Sequence, residues 1–305
     1  MVLGYVGVLA YLALNERQLI FRPGERRVAA PAPEFALHEQ RVTYPSSDGV
    51  TLSAWVVPAA PSRAVDMWLL ICHGNFGNIG FGQRPEFYAL MRDLGVTLLA
   101  FDYRGFGEST GVPEERGLYA DASASYEYLT RTRRVPPDRV VIFGHSLGSG
   151  VAIELASRVS AAGLIVEGAY TSVVDRAQEI YSLLPVRLIA SQRFPSLERI
   201  ASIFEPKLFL HSPEDTVIPY AHGQRLFDAA REPKRFVSVR GGHENAYRLD
   251  AAVYYGAIAE FVNELVPATG TPGGAAVGSS GPRSGPGAAG RVAQRPPEAE
   301  ASSTW

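Results

Sequence analysis

A serine framed by glycines is the residue best placed to do chemistry in this chain. The pentad GHSLG places Ser146 between Gly144 and Gly148, after the apolar run 139–143 and before a helix-like stretch. Glycines permit a tight strand-to-helix turn, which holds the serine backbone in a strained conformation and projects its hydroxyl from the edge of a sheet. The pattern predicts that Ser146 is a nucleophile. It also leaves the backbone N–H of Leu147, at the helix N-terminus, available to developing negative charge.

A serine hydroxyl needs a general base, normally an imidazole oriented by a carboxylate. His243 lies in RGGHENA, between the last apolar run and the last helical stretch, where glycines let the loop bring its ring to the sheet edge. The remaining histidines fit structural, loop or solvated positions better; they are His38, His73, His145, His211 and His222. His243 is therefore the predicted base.

The orienting acid is expected in HSPEDTVIP, directly after the penultimate apolar run. Asp215 is preferred over Glu214 because the residues that follow it begin the next element. Glu167, at the end of the preceding strand, is an alternative acid.

A second glycine-rich loop, CHGNFGN at 72–78, follows the first parallel strand. Its backbone can turn N–H groups towards the serine, so Asn75, or alternatively Phe76, is expected to complete an oxyanion hole with Leu147. Losing one such donor typically costs ~2.7–4 kcal/mol of transition-state stabilisation.

The surrounding pattern predicts an α/β domain. Residues 35–44 and 50–57 flank the turn signal PSSDG and indicate an antiparallel hairpin. Continuous apolar runs then alternate with amphipathic stretches, which is typical of a mostly parallel sheet with helices on both faces. Strands are predicted at 67–72, 96–102, 139–143, 163–168, 207–212 and 234–239. Helices are predicted at 85–94, 117–131, 147–158, 171–183, 221–230 and 246–265.

We expect one catalytic domain at 23–265, with a small lid insertion at 168–206. The insertion has room for a helix or two, which predicts a partly open cleft for an acyl chain. Ile180, Tyr181, Leu183 and Leu184 are its expected apolar walls, although the same stretch would also suit a helix that only covers the sheet.

The two ends differ from this domain. Residues 1–22 begin with an uncharged apolar run at 1–14, which predicts a membrane anchor with a transmembrane helix, although ~17–25 residues usually span a bilayer. A cleaved signal, or a first helix packed on the domain, are alternatives. The arginines after the run favour a cytoplasmic over a secreted catalytic domain. Residues 266–305 are rich in Gly, Pro, Ala and Ser and predict a disordered tail.

Composition argues against several other functions. The net charge of −2 over 305 residues, with scattered arginines, predicts no nucleic-acid partner. Cys72 is the only cysteine and HExxH spacing is absent, so no disulfide, metal or cofactor is expected.

Over about 35–265 these motifs resemble the alpha/beta-hydrolase superfamily. The similarity is greater to its small-lid branch, which includes eukaryotic protein depalmitoylases and serine aminopeptidase-like hydrolases. The motifs are HGNFGN, FDYRGFGESTG, GHSLGSG, EGAYTS, EDTVIPYAHGQRLF and GGHEN. The order Ser146, Asp215, His243 is the nucleophile–acid–base order of that fold. The resemblance implies a structural turn at Asp102, and Glu244 departs from the Asn-Asp more common after the histidine.

These features predict a serine hydrolase that cleaves carboxylic esters or thioesters through an acyl-enzyme. Its partner would be a small-molecule or lipid-like acyl substrate, with possible membrane association through residues 1–14. Two alternatives stay open: a serine-aminopeptidase-type peptidase, and a non-catalytic, membrane-tethered binding module.

Overall fold

The computed structural model describes residues 2–266 of the chain, and its centre is an eight-stranded sheet. The strand order is β1-β2-β4-β3-β5-β6-β7-β8. The strands are β1 Gln40–Pro45, β2 Thr51–Val57, β3 Trp68–Cys72, β4 Thr97–Phe101, β5 Val140–His145, β6 Gly163–Glu167, β7 Lys207–His211 and β8 Lys234–Ser238. Strand β2 pairs antiparallel with β1 and β4, while β4, β3, β5, β6, β7 and β8 are parallel.

Helices cover both faces of this sheet. They are α1 Val2–Ile20, α2 Arg84–Asp93, α3 Glu115–Glu127, α4 Leu147–Ala156, α5 Val173–Ile180, α6 Val186–Ile189, α7 Ser196–Ile200, α8 Tyr220–Ala229, α9 Ala246–Leu249 and α10 Ala251–Leu265. Helices α3, α4 and α8 contribute to the core cluster on one face, and α2 and α10 to the cluster on the other. Because β5, β6 and β7 are buried on both sides, their sequences are apolar without alternation.

The predicted α/β-hydrolase fold is confirmed, with small differences at the element boundaries. The stretch predicted as one helix at 246–265 divides at Asp250 into α9 and α10. The hairpin begins at Gln40 rather than residue 35, because Pro33–Phe35 form a short 3₁₀ turn. The parallel strands end at one edge of the sheet, where β3, β5, β7 and β8 lead into the loops that carry Asn75, Ser146, Asp215 and His243.

Helix α1 differs from the membrane-spanning helix that the sequence predicted for the N-terminus. Among residues 2–266 no helix is both long and apolar enough to cross a membrane, so the predicted transmembrane helix is not supported. Polar residues begin at Asn15 and leave too short an apolar run. Helix α1 instead packs on the domain, as in one of the alternatives. The predicted tail lies outside the described residues except for Val266, so its disorder stays a prediction.

Candidate active site

Ser146 sits at a sharp turn between β5 and α4. Its φ of 53° and ψ of −123° lie in a region that non-glycine residues rarely adopt, as predicted for a strained serine. A Cβ atom on Gly144 would lie 2.4 Å from the carbonyl oxygen of Gly148. A Cβ atom on Gly148 would lie 2.0 Å from the carbonyl oxygen of Cys72. Both glycines are therefore required for α4 to start so close to β3 and β5.

The three side chains predicted to act together are in hydrogen-bonding contact. Ser146 Oγ lies 2.7 Å from His243 Nε2, and His243 Nδ1 lies 2.6 Å from Asp215 Oδ2. Each residue is buried, and the chain separations are 97 and 28 positions. The sheet alone brings them together, since each follows the carboxyl end of a different parallel strand.

Asp215 is held as a carboxylate. Its Oδ1 accepts hydrogen bonds of 2.8 Å from the backbone N–H groups of both Val217 and Ile218. Burial alone would raise the pKa of Asp215, but His243 and these two N–H groups outweigh it and lower the pKa. An ionised Asp215 accepts a hydrogen bond from the N–H at Nδ1 of His243. The other ring nitrogen, Nε2, is then left to accept a hydrogen bond from the hydroxyl of Ser146.

The alternative acids make other contacts. Glu167 accepts a hydrogen bond from the hydroxyl of Tyr254 at 2.7 Å, and its backbone carbonyl accepts from the N–H of Ser146. Glu214 accepts from the N–H of Gly241 at 3.3 Å. Asp215 is thus the carboxylate that the structure places on the imidazole.

Two of the other histidines, His211 and His222, have scaffold contacts. His211 is buried and its Nε2 contacts the carbonyl of Ile218, as expected for a structural residue. His222 was expected to be solvated or capping, but it is buried between Thr171 and Glu179. Its partners come from the lid insertion, so the sequence near His222 gave no sign of them.

The predicted oxyanion loop passes directly over the serine. A Cβ atom on Gly74 would lie 3.4 Å from Cβ of Ser146. Within residues 2–266 the backbone N–H groups of Leu147, Asn75 and Phe76 donate no hydrogen bond. The structure therefore leaves these predicted donors available beside the serine, with Asn75 and Phe76 both open as the second one.

Side chains outside the motif orient this loop. The carbonyl oxygen of Gly74 lies 2.7 Å from His73 Nδ1 and 3.3 Å from a guanidinium nitrogen of Arg84. Arg84 also donates to the carbonyl of Phe76 at 2.6 Å. The C=O and N–H of a trans peptide point in opposite directions, so holding the Gly74 oxygen aims the N–H of Asn75 the other way. Sequence reasoning missed Arg84, because no local pattern links it to the loop.

An apolar cleft of about 540 Å³ opens beside the serine. Ile180 and Tyr181 line it as expected, but Leu183 and Leu184 do not. The chain turns at Pro185, so α6 rather than the preceding turn faces the cleft. Residues of α1 form much of another wall. This size is within the usual range for small-molecule sites.

Comparison with known proteins agrees with this fold. The model of the family described as "alpha/beta hydrolase fold" matches residues 68–180. An uncharacterised protein of Mycobacterium tuberculosis is 36% identical over 260 residues, which cover 85% of this chain and 91% of that protein. The chain belongs to the alpha/beta-hydrolase family.

Two further similarities concern hydrolases with described activities. The lysophosphatidylserine lipase ABHD12 of Danio rerio is 36% identical over 184 residues, which cover 54% of this chain and 48% of that protein. A solved esterase of Pyrococcus furiosus aligns with a TM-score of 0.67 at 18% identity, covering 81% of this chain and 98% of the esterase. The solved structure shares the fold, and together the comparisons support a hydrolase.

A second cavity of about 580 Å³ lies on another side of this hydrolase's loop 72–78; its walls are largely apolar, but they include the ionisable side chains of His145, Glu167 and Glu244. Burial raises the pKa of Glu167. Burial alone would lower the pKa of His145, but the carboxylates of Glu167 and Glu244 outweigh it and raise the pKa. His145 and Glu167 thus form a buried ionisable pair beside the triad, which the motif alone did not indicate.

Metal-ligand side chains meet at the rim of the hydrolase site. Within the part of the chain that the structure describes, the grouping is His145, His243 and Glu244, with ligand atoms within 4.8 Å of one another. Both ring nitrogens of His243 already contact Ser146 or Asp215. An ion bound there would have to displace a triad contact, so the arrangement fits a metal poorly.

Proposed function

We propose that the protein is a serine hydrolase that cleaves carboxylic esters or thioesters, with Ser146 as nucleophile, His243 as base and Asp215 as orienting acid. The observation that carries the proposal is the continuous contact from Ser146 Oγ to His243 Nε2 and from His243 Nδ1 to Asp215. A serine lacking such a partner is a weak nucleophile at neutral pH.

The reaction follows from this arrangement. Ser146 Oγ attacks the acyl carbon while its proton passes to Nε2 of His243, and the carbonyl oxygen becomes an oxyanion. The N–H groups of Leu147 and Asn75 stabilise that charge. Collapse breaks the bond to the alcohol or thiol, which takes the proton from His243. A water molecule, deprotonated by His243, then attacks the acyl-enzyme and releases the acid and the free hydroxyl of Ser146.

The walls of the cleft support an acyl substrate. Apolar side chains from α1, α5 and α6 line the space next to Ser146 and Leu147. Burial of an acyl chain there is favourable in proportion to its apolar surface. The lipase and esterase activities named for two similar proteins agree with ester substrates.

Neither alternative function has comparable support. A peptidase that binds a substrate amine needs a dedicated acidic pocket, yet the carboxylate of Glu167 is engaged by Tyr254 and the cleft beside Ser146 is lined mainly by apolar side chains. A non-catalytic binding module would have no need for a strained serine in contact with an oriented imidazole.

The test compares hydrolysis of p-nitrophenyl esters and the matching acyl thioesters by wild type, Ser146→Ala and Ser149→Ala. Ser149 is the matched control, since it is buried in α4 and its hydroxyl oxygen has no hydrogen-bond partner among the described residues. We expect Ser146→Ala to lower kcat by at least about 10⁴-fold and Ser149→Ala to stay within about twofold. Equal rates for wild type and Ser146→Ala would overturn the proposal, as would faster turnover of aminoacyl-arylamides than of esters.

A further inference from the structure

Helix α1 presents one face to the domain along its C-terminal half. Leu9, Leu12, Asn15, Glu16 and Leu19 are half-buried, while most of their neighbours in the helix are exposed. This spacing of three and four residues is that of a single helical face. The opposite side is open to solvent, with Leu14 84% exposed. Helix α1 therefore packs against the domain through one face, which these half-buried residues form.

The carboxylate of Glu16, on this packed face, joins α1 to the lid insertion through hydrogen bonds. Glu16 Oε1 accepts the backbone N–H groups of Ser191 at 2.9 Å and Gln192 at 3.0 Å. The next residues of the insertion are held in turn by Glu115 of α3, which accepts the N–H of Phe194 at 2.9 Å. Glu16 thus binds a segment that is itself fixed to the domain. Hydrogen bonds to a charged group are about twice as strong as neutral ones.

Hydrogen bonds join the C-terminal end of α1 to the loop 72–78, the predicted oxyanion loop. The side-chain amide of Asn75 donates to the carbonyl of Ile20 at 3.0 Å. The N–H of Arg22 donates to the carbonyl of Asn75, and the N–H of Gly77 donates to the carbonyl of Arg22, both at 2.9 Å. Ile20 therefore lies at the end of the cleft next to the serine, and earlier residues of α1 lie progressively further from it.

We propose that α1 forms the wall of the cleft along which the acyl chain lies, and that Leu12 sets the preferred chain length. The inference rests on the acyl-hydrolase function proposed above. Residues Leu12, Ala13, Glu16, Leu19 and Ile20 all line the apolar cleft. Facing them across the cleft are apolar residues of α5 and α6, among them Ala177, Val186 and Ile189. The cleft thus lies between α1 and the lid insertion, and neither element encloses it alone.

The rise of the helix per residue relates positions along α1 to the length of an acyl chain. From Ile20 to Leu12 the helix extends about 12 Å. An extended chain advances about 1.2 Å per bond, because one residue of three bonds spans at most ~3.6 Å. An acyl chain that starts at Ser146 and follows α1 would thus meet Leu12 after about ten carbons. This hydrolase is thereby assigned to medium-length acyl groups of about ten carbons, rather than acetyl esters.

The experiment measures kcat/KM for p-nitrophenyl esters from C4 to C16 with the full chain and three variants. Leu12→Trp fills the far end of the cleft, and Leu14→Trp places the same side chain on the exposed face of the same helix. Glu16→Ala removes the fastening to residues 191–192. For Leu12→Trp we expect about a tenfold loss or more with C10 esters and less than about a twofold change with C4 esters, moving the optimum to shorter chains. Leu14→Trp should keep the wild-type profile.

The Glu16→Ala variant tests the fastening of α1 separately. We expect kcat/KM to fall more for C10 esters than for C4 esters, because the longer chain lies against more of the loosened wall. Circular dichroism of each variant checks that it is folded. A C4-to-C16 profile that Leu12→Trp leaves unchanged would overturn the role of α1, as would an equal loss in Leu14→Trp. If wild type hydrolyses none of these esters, the proposed function itself fails, and the two failures are thereby distinguished.

Discussion

The carboxylate of Asp215 connects two parts of the site through its two oxygens. Oδ2 accepts from the imidazole of His243, while Oδ1 accepts from two backbone N–H groups of its own loop. The backbone bonds fix the carboxylate and the carboxylate fixes the ring. The position of Asp215 after the penultimate strand predicted this contact, although Glu167 stayed open as an alternative acid. The backbone bonds could not be predicted, because they depend on how the loop turns after residue 215.

Replacing Asp215 by asparagine should leave the loop folded but misdirect the imidazole. An amide that offers its N–H₂ to Nδ1 favours the tautomer with the proton on Nε2, where it cannot accept from Ser146. We expect Asp215→Asn to lower kcat for a short ester by about 10⁴-fold. Asp66→Asn is the control, since that side chain is 77% exposed and remote from the site. A loss below about tenfold would contradict the role given to Asp215.

The same carboxylate should make stability depend on pH. Its pKa in the folded protein is lowered below the ordinary value of 3.8, so its contribution is fully present above pH 3.8 and is lost as the pH falls through the folded value. The difference in unfolding free energy between wild type and Asp215→Asn should therefore shrink on acidification below that pH. Urea unfolding of both proteins at several pH values measures it. A difference that grows as the pH falls would have the wrong sign.

At the scale of elements, the loop 72–78 depends on contacts from helix α2. Arg84 begins α2 and reaches back to the carbonyls of Gly74, Phe76 and Asn78. The motif CHGNFGN predicted that this loop supplies N–H donors. It could not predict what holds them, since the arginine lies outside the motif and acts only through the folded backbone.

Removal of the Arg84 guanidinium should weaken catalysis more than substrate binding. Losing one oriented donor in an oxyanion hole costs about 10²–10³ in kcat, so partial misorientation in Arg84→Met should cost about 10–10². KM should change little, because Arg84 itself does not line the acyl cleft, and Arg84→Lys should recover part of kcat. A rise in KM at constant kcat, or no rescue by lysine, would assign Arg84 a different role.

At the scale of the whole molecule, the sheet was predictable because its buried strands are continuously apolar and end in functional loops. Strands β5, β6 and β7 fall within one or two residues of their predicted bounds. The position of α1 was not predictable, because an apolar run of 14 residues has the same composition whether it meets lipid or protein. Its partners lie near residues 173–192, and only the fold brings them together.

Ser146 is proposed as the activated nucleophile of this hydrolase, and the roles of the other site residues depend on it. The direct measurement is reaction with a fluorophosphonate, which stays attached, followed by peptide mass spectrometry of wild type and Ser146→Ala. We expect a single adduct on the peptide that contains Ser146, and none in the alanine variant. An adduct on another residue, or equal labelling of the variant, would contradict it.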